Sequence, residues 1–558
     1  MHCILRFRIF CPSIVVFSLA TALFSAVIYN FSFWRALIAA AHPASHFDAL
    51  FLASVFALIV FLHAALLLAV PGRVSVQIVA ATMFIIASVA AYFIDSFGVA
   101  FTKPIVQSVF ETDRQEMSAL MTGRLILYLV FAGILPSLAI LLVRLPKVDG
   151  WIDVRQRLSF AGAAALTAAL VVFALYSVQA PFWRSNKDLL KQLNPDALLF
   201  ATLQYLGDQL AWDQLTRASG NTPLGNPGGP TRVLPVASHS KPLLMFLNVG
   251  ETARAQNFQL GGYARQTNPE LSALEGVFYF NNAASCGTAT AVSVPCMFSH
   301  GGRKIFRPAD AGADMNLLDA VAAAGFYVEW RENNTGGKGV PARVRTVTYN
   351  PNSDPKLCEH HTCYDEIMLK GLAEDLRARP RNTLIVFHHM GSHGPTYWQR
   401  YPASFEKFRP SCRTNELWRC TPDELINVYD NTIVYTDFVL AEQIRLMQAL
   451  SDRFDAVMIY VSDHGESLGE RGLYLHGAPY LIAPKEQTHI PLLIWMSKSY
   501  RERFALDGDC MRSQLDHAVS HDNLYHTVLG ALGLSNDVYR RERDLVTQCA
   551  APAPRSLM

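Results

Sequence analysis

Charge of either sign is scarce and balanced in this chain. Asp, Glu, Lys and Arg make up 17% of its residues, and 48 Lys plus Arg stand against 46 Asp plus Glu, a formal net charge of +2. That balance excludes strong binding to a polyanion such as nucleic acid, and no nucleic-acid motif is present. Internal repeats are missing too, which excludes a solenoid. No two of the ten cysteines have the Cys-x-x-Cys spacing of a zinc knuckle, so they need another reason. What the chain has in excess is apolar character: 51% of its 558 residues are hydrophobic, too many for a purely soluble protein, and its length exceeds one ordinary domain.

The apolar excess lies before residue 180, in five runs near Ser13 to Tyr29, Ala49 to Val70, Val74 to Ile94, Leu125 to Val143 and Leu158 to Val178. Each has about the twenty residues needed to cross a hydrocarbon core of roughly 30 Å, so the runs predict five transmembrane helices. The first, preceded by Arg6 and Arg8, also reads as a cleaved signal peptide; four further spans favour a retained helix. Arg6, Arg8, Arg73, Arg144, Lys147, Arg155 and Arg157 lie on one side of the spans, against Arg35, Lys103, Arg114 and Arg124 on the other. The positive-inside rule then places the N-terminus in the cytoplasm and everything beyond residue 180 outside it.

Cysteine usage reads the compartment independently. Eight of the ten cysteines follow residue 280, six of them as close pairs. This predicts disulfides joining Cys286 to Cys296, Cys358 to Cys363, Cys412 to Cys420 and Cys510 to Cys549, formed in an oxidising periplasm or its equivalent. Cys3 and Cys11, at the cytoplasmic start, are expected to be free. From Pro181 to Trp212 the pattern is helical, with Phe182, Trp183, Leu189, Leu193 and Leu203 available for one face; such a helix can lie on a membrane surface or pack on its own domain. Arg217 to Lys241, rich in Gly, Pro, Ser and Asn, predicts a linker. The chain thus divides into a transmembrane domain at 1–180, a bridging helix and linker at 181–240, and a periplasmic domain at 241–558 that carries the chemistry.

In that last part, strand-like runs alternate with helical patterns: Leu243 to Val249, Gly325 to Trp330, Thr383 to His388, Ala456 to Val461 and Ile490 to Trp495. The alternation predicts an α/β fold with a mostly parallel sheet, a design that keeps its chemistry at the carboxyl edge of the strands. One run ends in Ser462-Asp463-His464-Gly465-Glu466 and another in Gly250-Glu251-Thr252. Two strands delivering metal-type ligands at one edge form the pattern of a mononuclear or binuclear hydrolytic centre. Taken singly, an Asp-His pair more often caps a turn, and a glutamate after a strand more often caps a helix. Between Ser285 and Cys296, Thr288, Thr290 and Ser293 crowd a helix start, suited to a phosphate or an oxyanion but also to ordinary capping. His388, His389 and His393 end another strand and His476 follows the Asp-His pair; neutral imidazoles suit zinc, and non-ligating ones move protons or bind phosphate oxygens.

The longer motifs are specific: Asn248-Val249-Gly250-Glu251-Thr252-Ala253-Arg254, the Cys286 to Phe298 segment, Met390-Gly391-Ser392-His393-Gly394-Pro395, Ser462-Asp463-His464-Gly465-Glu466-Ser467 and Ala483-Pro484-Lys485-Glu486-Gln487. Through them the whole chain resembles the membrane-bound phosphoethanolamine transferases acting on lipid A, the family that includes the mobile colistin-resistance enzymes. The resemblance implies a five-helix transmembrane domain plus an alkaline phosphatase/sulfatase-like α/β domain. It also implies one zinc held by Glu251, Thr290, Asp463 and His464, with Thr290 as nucleophile. His393 and His476 would bind the phosphoethanolamine group or a second, weaker zinc, and Asn334 and Lys338 would contact the substrate. In the second periplasmic loop the family spaces Asn, Thr and Glu by four; Thr112 and Glu116 fit, and Ser108 stands where Asn is usual. His388 and His489 lie near these motifs without an assigned role.

The implied reaction is a two-step transfer from phosphatidylethanolamine to Thr290 and then to a lipid A phosphate, with diacylglycerol released and His476 or His393 moving the proton. Donor and acceptor are both membrane lipids, which gives five spans a purpose; a monomer is expected. Rival readings are a transferase with another acceptor, such as a core sugar of lipopolysaccharide or a protein, a zinc phosphodiesterase or sulfatase, and a silent lipid sensor. No Cys/Ser-x-Pro-x-Arg sequence for formylglycine surrounds Thr290, against the sulfatase. Retention of Glu251, Thr290, Asp463 and His464 together argues against the sensor.

Overall fold

A computed structural model of the chain describes residues 13–41, 46–112, 114–146, 150–175, 179, 182–183, 186–218, 231–233, 241–306, 315–359 and 362–550. Expectations placed on Cys3, Arg6, Arg8, Cys11 and Lys147, and on most of the linker, fall outside these residues. The chain forms two compact units, one of Met1–Val106 with Met121–Gln204 and one of Gln107–Leu120 with Tyr205–Met558.

The first unit is helical: α1 (Ile14–Ile28), α2 (Phe31–Ala41), α3 (His46–Leu68), α4 (Arg73–Phe97), and, after α5 (Lys103–Glu111), which passes into the other unit at Gln107, and α6 (Arg114–Leu120) of that unit, α7 (Gly123–Leu142) and α8 (Gly150–Ala174). Among the described residues four helices are long and apolar enough to cross a membrane. The first expected span departs from this pattern. α1 has 15 residues, about 22 Å at 1.5 Å each, and reaches twenty residues only if joined to α2 across a 68° bend. Asn30 stands at that bend, and its side-chain amide donates to Ser25 O and to Asn194 O, so a side chain competes with the helical ladder there. Elsewhere the bundle is fastened by Gln77, whose Nε2 donates to Ile140 O and Val143 O at 2.9 and 2.8 Å. α7 carries a π-helical stretch at Tyr128–Ile134.

The single helix expected from Pro181 to Trp212 is two pieces, a 3-10 turn at Lys187–Gln192 and α9 at Asp196–Ala218. Pro195 lies between them; it lacks an N–H and restrains its neighbour, so the helix begins after it. Within the expected linker, Arg232–Val233 forms a short strand paired antiparallel with Leu534–Ser535.

The second unit is built on an eight-stranded sheet of β1 (Leu243–Gly250), β2 (Val277–Ala284), β3 (Tyr327–Glu332), β4 (Arg345–Thr348), β5 (Thr383–His388), β6 (Asp455–Ser462), β7 (His489–Met496) and β8 (Val519–Ser520). Its order is β8-β2-β7-β6-β1-β5-β3-β4, and β7 alone runs against its neighbours. The central strands read as continuous apolar runs because both faces are covered. Leu243, Met245, Leu247, Val249, Val457, Ile459 and Val461 enter one core, while Leu244, Phe246, Ala456, Met458 and Tyr460 enter the other. That is the two-residue period of a strand, and each fully buried side chain contributes about 1.5–3 kcal/mol. The first core is closed by helices including α10 (Thr290–Met297), the second by the 28-residue α11 (Pro422–Ala449), which starts at a Thr421–Glu424 capping box with Pro422 in its first turn.

All four expected disulfides are formed. Cys286–Cys296 closes a loop of 10 residues around the start of α10. Replacing both cysteines by serine is expected to cost about 2–3 kcal/mol by freeing the unfolded chain; an unchanged denaturant midpoint for the purified variant would contradict this.

Candidate functional site

Register places the central residues. β1 and β6 pair in parallel with Gly250 opposite Ser462, so the next residues, Glu251 and Asp463, leave the sheet side by side at its carboxyl edge. Asp463 N donates to Gly250 O at 2.9 Å, and Thr252 N and His464 N both donate to Asp463 Oδ1, at 3.1 and 2.7 Å. This leaves Oδ2 buried with no hydrogen-bond partner among the described residues. His464 Nδ1 donates to Gly465 O at 2.9 Å, which directs the lone pair of Nε2 inward. That nitrogen lies 3.3 Å from Asp463 Oδ2 and 3.6 Å from Glu251 Oε1, and all three side chains are fully buried.

Thr290 completes the group from the first turn of α10. Its Oγ1 is 3.2 Å from both carboxylate oxygens of Glu251 and 3.2 Å from His464 Nε2. The turn before it is held by Gly287 N donating to Ser293 Oγ, by Thr288 Oγ1 donating to Ala478 O, and by the disulfide. His521 ties this segment to β6: its Nε2 donates to Ser462 O, and its Nδ1 accepts from Cys286 N.

The cluster is electrostatically unfavourable as it stands. Burial, then the neighbouring Asp463, push the Glu251 carboxyl well above its ordinary range, despite hydrogen bonds from Asn334 and Thr290. Burial lowers His464 to about 4. Two carboxylates and an imidazole lone pair converge within 4.8 Å, acceptor facing acceptor, and a bound cation is what turns such an arrangement from repulsive to favourable. The orphaned Asp463 Oδ2 and the N/O donor set both fit a metal of the zinc type.

Two histidines flank the cluster. The His476 ring lies 4.4 Å from the His464 ring and 5.7 Å from the His393 ring, centroid to centroid. His476 Nδ1 faces Glu466 Oε1 at 3.4 Å, and Leu475 before it has φ 63°, a conformation that costs a non-glycine residue and aims the imidazole. Burial, followed by the charges of His476 and Arg400, holds His393 well below the ordinary imidazole range. Asn334 Nδ2 donates to Glu251 Oε2 at 2.6 Å. Lys338 follows on the same loop, its Nζ donating to Thr335 O at 3.2 Å. Ser108 and Thr112 are joined to each other, Thr112 Oγ1 donating to Ser108 O at 2.7 Å; the Glu116 side chain lies outside the described residues.

Three supports were missed in the sequence. His388, given no role, donates through Nδ1 to Glu332 Oε1 at 2.9 Å, and Glu332 in turn accepts from Asn334 N. Asp365 accepts from Met390 N, Gly391 N and Asn333 Nδ2, so it fixes the loop that carries His393; burial raises its carboxyl, but His389 and these donors outweigh that and leave it lowered. Gln487 donates to Ser467 Oγ and Leu475 O while its own carbonyl accepts from Gly465 N. Only His388 and Gln487 lay in stretches that the sequence singled out, and nothing in one sequence shows which distant loop a buried side chain will bind. Gly391, at φ 51° and with Glu251 O in the place of a Cβ, tolerates no side chain. Gly465 is as confined, since a Cβ there would overlap the Glu486 carbonyl. Gly465→Ala is expected to cost about 1–3 kcal/mol or more by forcing that backbone apart, visible as a lowered thermal midpoint; full stability would contradict the packing described.

Comparison with known proteins places this geometry in context. The model of the phosphoethanolamine transferase EptA/EptB family matches residues 58–210, and the sulfatase model matches residues 244–534. Phosphoethanolamine transferase EptA of Escherichia coli K12 is 38% identical over 482 residues, 84% of this chain and 85% of the relative. Phosphatidylethanolamine transferase Mcr-1 of Escherichia coli is 35% identical over 428 residues, 75% and 77% of the two chains. Among solved structures, the integral membrane lipooligosaccharide phosphoethanolamine transferase A of Neisseria meningitidis superposes with a TM-score of 0.91 at 33% identity, covering 98% of this chain and 100% of the other.

Proposed function

Since the chain belongs to the phosphoethanolamine transferases of the EptA and Mcr type, we propose that it moves phosphoethanolamine from phosphatidylethanolamine to a phosphate of lipid A by way of Thr290. It is a bacterial inner-membrane protein with its catalytic domain in the periplasm. The finer reading counts the first apolar run, Ser13 to Tyr29, as a fifth span with α2 beyond it, keeps the division at 1–180, 181–240 and 241–558, and has the protein act as a monomer.

One observation carries the proposal: the Thr290 hydroxyl sits 3.2 Å from three buried ligand-type atoms of Glu251 and His464. A zinc ion held by Glu251, Thr290, Asp463 and His464 would supply Lewis-acid charge, favouring the threonine alkoxide and the charge on the phosphoryl oxygens. Thr290 Oγ1 attacks phosphorus in line, the bond from phosphorus to the glycerol oxygen breaks, and diacylglycerol leaves with a proton. His476, with Glu466 behind it, gives that proton; His393, held neutral by burial, hydrogen-bonds the phosphoethanolamine group. In the second step a lipid A phosphate oxygen attacks the same phosphorus, His476 takes the proton of that phosphate group, and the bond to Thr290 breaks to return its oxygen as the alkoxide. Asn334 orients Glu251, and Asn334 and Lys338 face the substrate, with Ser108, Thr112 and Glu116 contributing from the loop between α4 and α7. Diacylglycerol release from phosphatidylethanolamine vesicles by the purified protein tests the donor half, and its absence would refute it.

A further inference from the structure

The membrane unit contains a cavity of about 680 Å³ whose lining includes Ser32, Arg35, Asp95, Arg124 and Tyr128. It lies where helices end. Asp95 is two residues before the end of α4, Arg124 is the second residue of α7, and Ser32 and Arg35 are in the first turns of α2 beyond the bend. These ends share one side of the bundle, the side the basic residues assign to the periplasm, and so the level of lipid headgroups. The rim is apolar and open: Ile28, Phe31, Leu127 and Phe131 are all exposed. Its inner wall is charged.

Asp95 is fixed there. Its Oδ1 accepts from Ser32 Oγ at 2.6 Å and its Oδ2 from Tyr128 OH at 2.9 Å. Each carboxylate oxygen can accept a second hydrogen bond, and Asp95 lines the cavity. The Arg124 guanidinium lies 5.7 Å from the centre of the Tyr128 ring. Arg35 is exposed and has no hydrogen-bond or ion-pair partner among the described residues, although it is next to an apolar helical surface. Tyr128 and Ala132 both fall in the π-helical stretch of α7, and Ala132 O accepts from Tyr29 OH; wide turns of this kind recur at functional positions. One carboxylate and two guanidinium groups on an apolar-rimmed wall complement a zwitterion with acyl chains. The guanidinium groups match a phosphodiester, and the carboxylate matches an ammonium that can donate hydrogen bonds. Phosphatidylglycerol has no ammonium, and the quaternary group of phosphatidylcholine has no N–H to give.

We propose that this cavity is a docking site for phosphatidylethanolamine, with the phosphate on Arg35 and Arg124 and the ammonium on Asp95. Calling the bound lipid the donor rests on the transfer reading above; the site itself belongs to the membrane unit.

The test uses the full-length Thr290→Ala protein in detergent, so that bound lipid is not consumed, and native mass spectrometry of dioctanoyl phosphatidylethanolamine, phosphatidylglycerol and phosphatidylcholine retained on it. Phosphatidylethanolamine should be retained at about tenfold lower concentration than the other two, the worth of one charge-assisted hydrogen-bonded pair. Adding Asp95→Asn should abolish that preference, and adding Arg35→Ala should weaken all three lipids. Asp95 is no member of the Glu251, Asp463 and His464 cluster, so a preference that survives its replacement overturns the assignment. Equal retention of the three lipids also overturns it, and preference for phosphatidylglycerol assigns the cavity to an anionic lipid instead. Arg35→Ala removes no hydrogen bond or ion pair among the described residues, which keeps the test valid if Asp95→Asn fails to fold. Should the wild type release no diacylglycerol while the preference stands, the transfer reading falls and the lipid site survives; transfer without the preference gives the converse.

Discussion

Thr290→Ala is expected to lower phosphoethanolamine transfer by roughly four orders of magnitude or more, because on the proposed mechanism the change deletes the atom that carries the group. No neighbouring hydroxyl can stand in. Thr288 is committed to Ala478 O, and Ser293 is held by Gly287 N. On that proposal the loss falls on turnover rather than on donor affinity, since His393, Asn334 and Lys338 are the residues proposed to hold the donor. Thr290→Ser keeps the oxygen and should retain part of the rate. Intact-protein mass measured after exposure to the donor alone adds a direct reading: wild type should carry a phosphoethanolamine adduct and Thr290→Ala none. A variant within about tenfold of wild type would mean that the acceptor attacks the donor directly.

Asp463→Asn is expected to separate metal binding from folding. The carboxylate is fully buried, Oδ1 is engaged by two backbone N–H groups, and Oδ2 faces the His464 lone pair with no donor of its own. In the absence of metal an amide relieves that opposition, so the metal-free variant should unfold at a temperature equal to or above that of metal-free wild type. With metal the order reverses. Changing even an outer partner of a ligand costs roughly 10–100-fold in affinity, so loss of a direct ligand should cost at least about 100-fold. Bound zinc per protein, measured by elemental analysis after purification, should drop accordingly. Zinc content equal to that of wild type would remove Asp463 from the ligand set.

Much of this was legible in the sequence because it depends on strand ends. Glu251 and Asp463 were found from apolar runs that stop at a ligand-type residue, and the parallel register of β1 and β6 brings the two together. His464 and Thr290 followed from the motifs around them. The cysteine pairs were legible because closing a short loop is local chemistry. What was hidden is long-range or marginal. β2 was missed because two asparagines, Asn281 and Asn282, interrupt an otherwise apolar and aromatic strand, and the reversed direction of β7 leaves no mark on its own residues. The break before α9 was marked by Pro195, yet the spacing of leucines on both sides reads as one helix. His388, Asp365 and Gln487 support the centre through hydrogen bonds to residues far off in the chain, and a local pattern does not specify those partners.

The most direct test of the whole reading is mass spectrometry of lipid A from cells expressing the wild-type protein and Thr290→Ala. The account predicts lipid A bearing added phosphoethanolamine in the first and unmodified lipid A in the second. Unmodified lipid A in both, with diacylglycerol still released from phosphatidylethanolamine by the purified wild type, would contradict lipid A as the acceptor and send the search to another phosphate or sugar of the cell envelope.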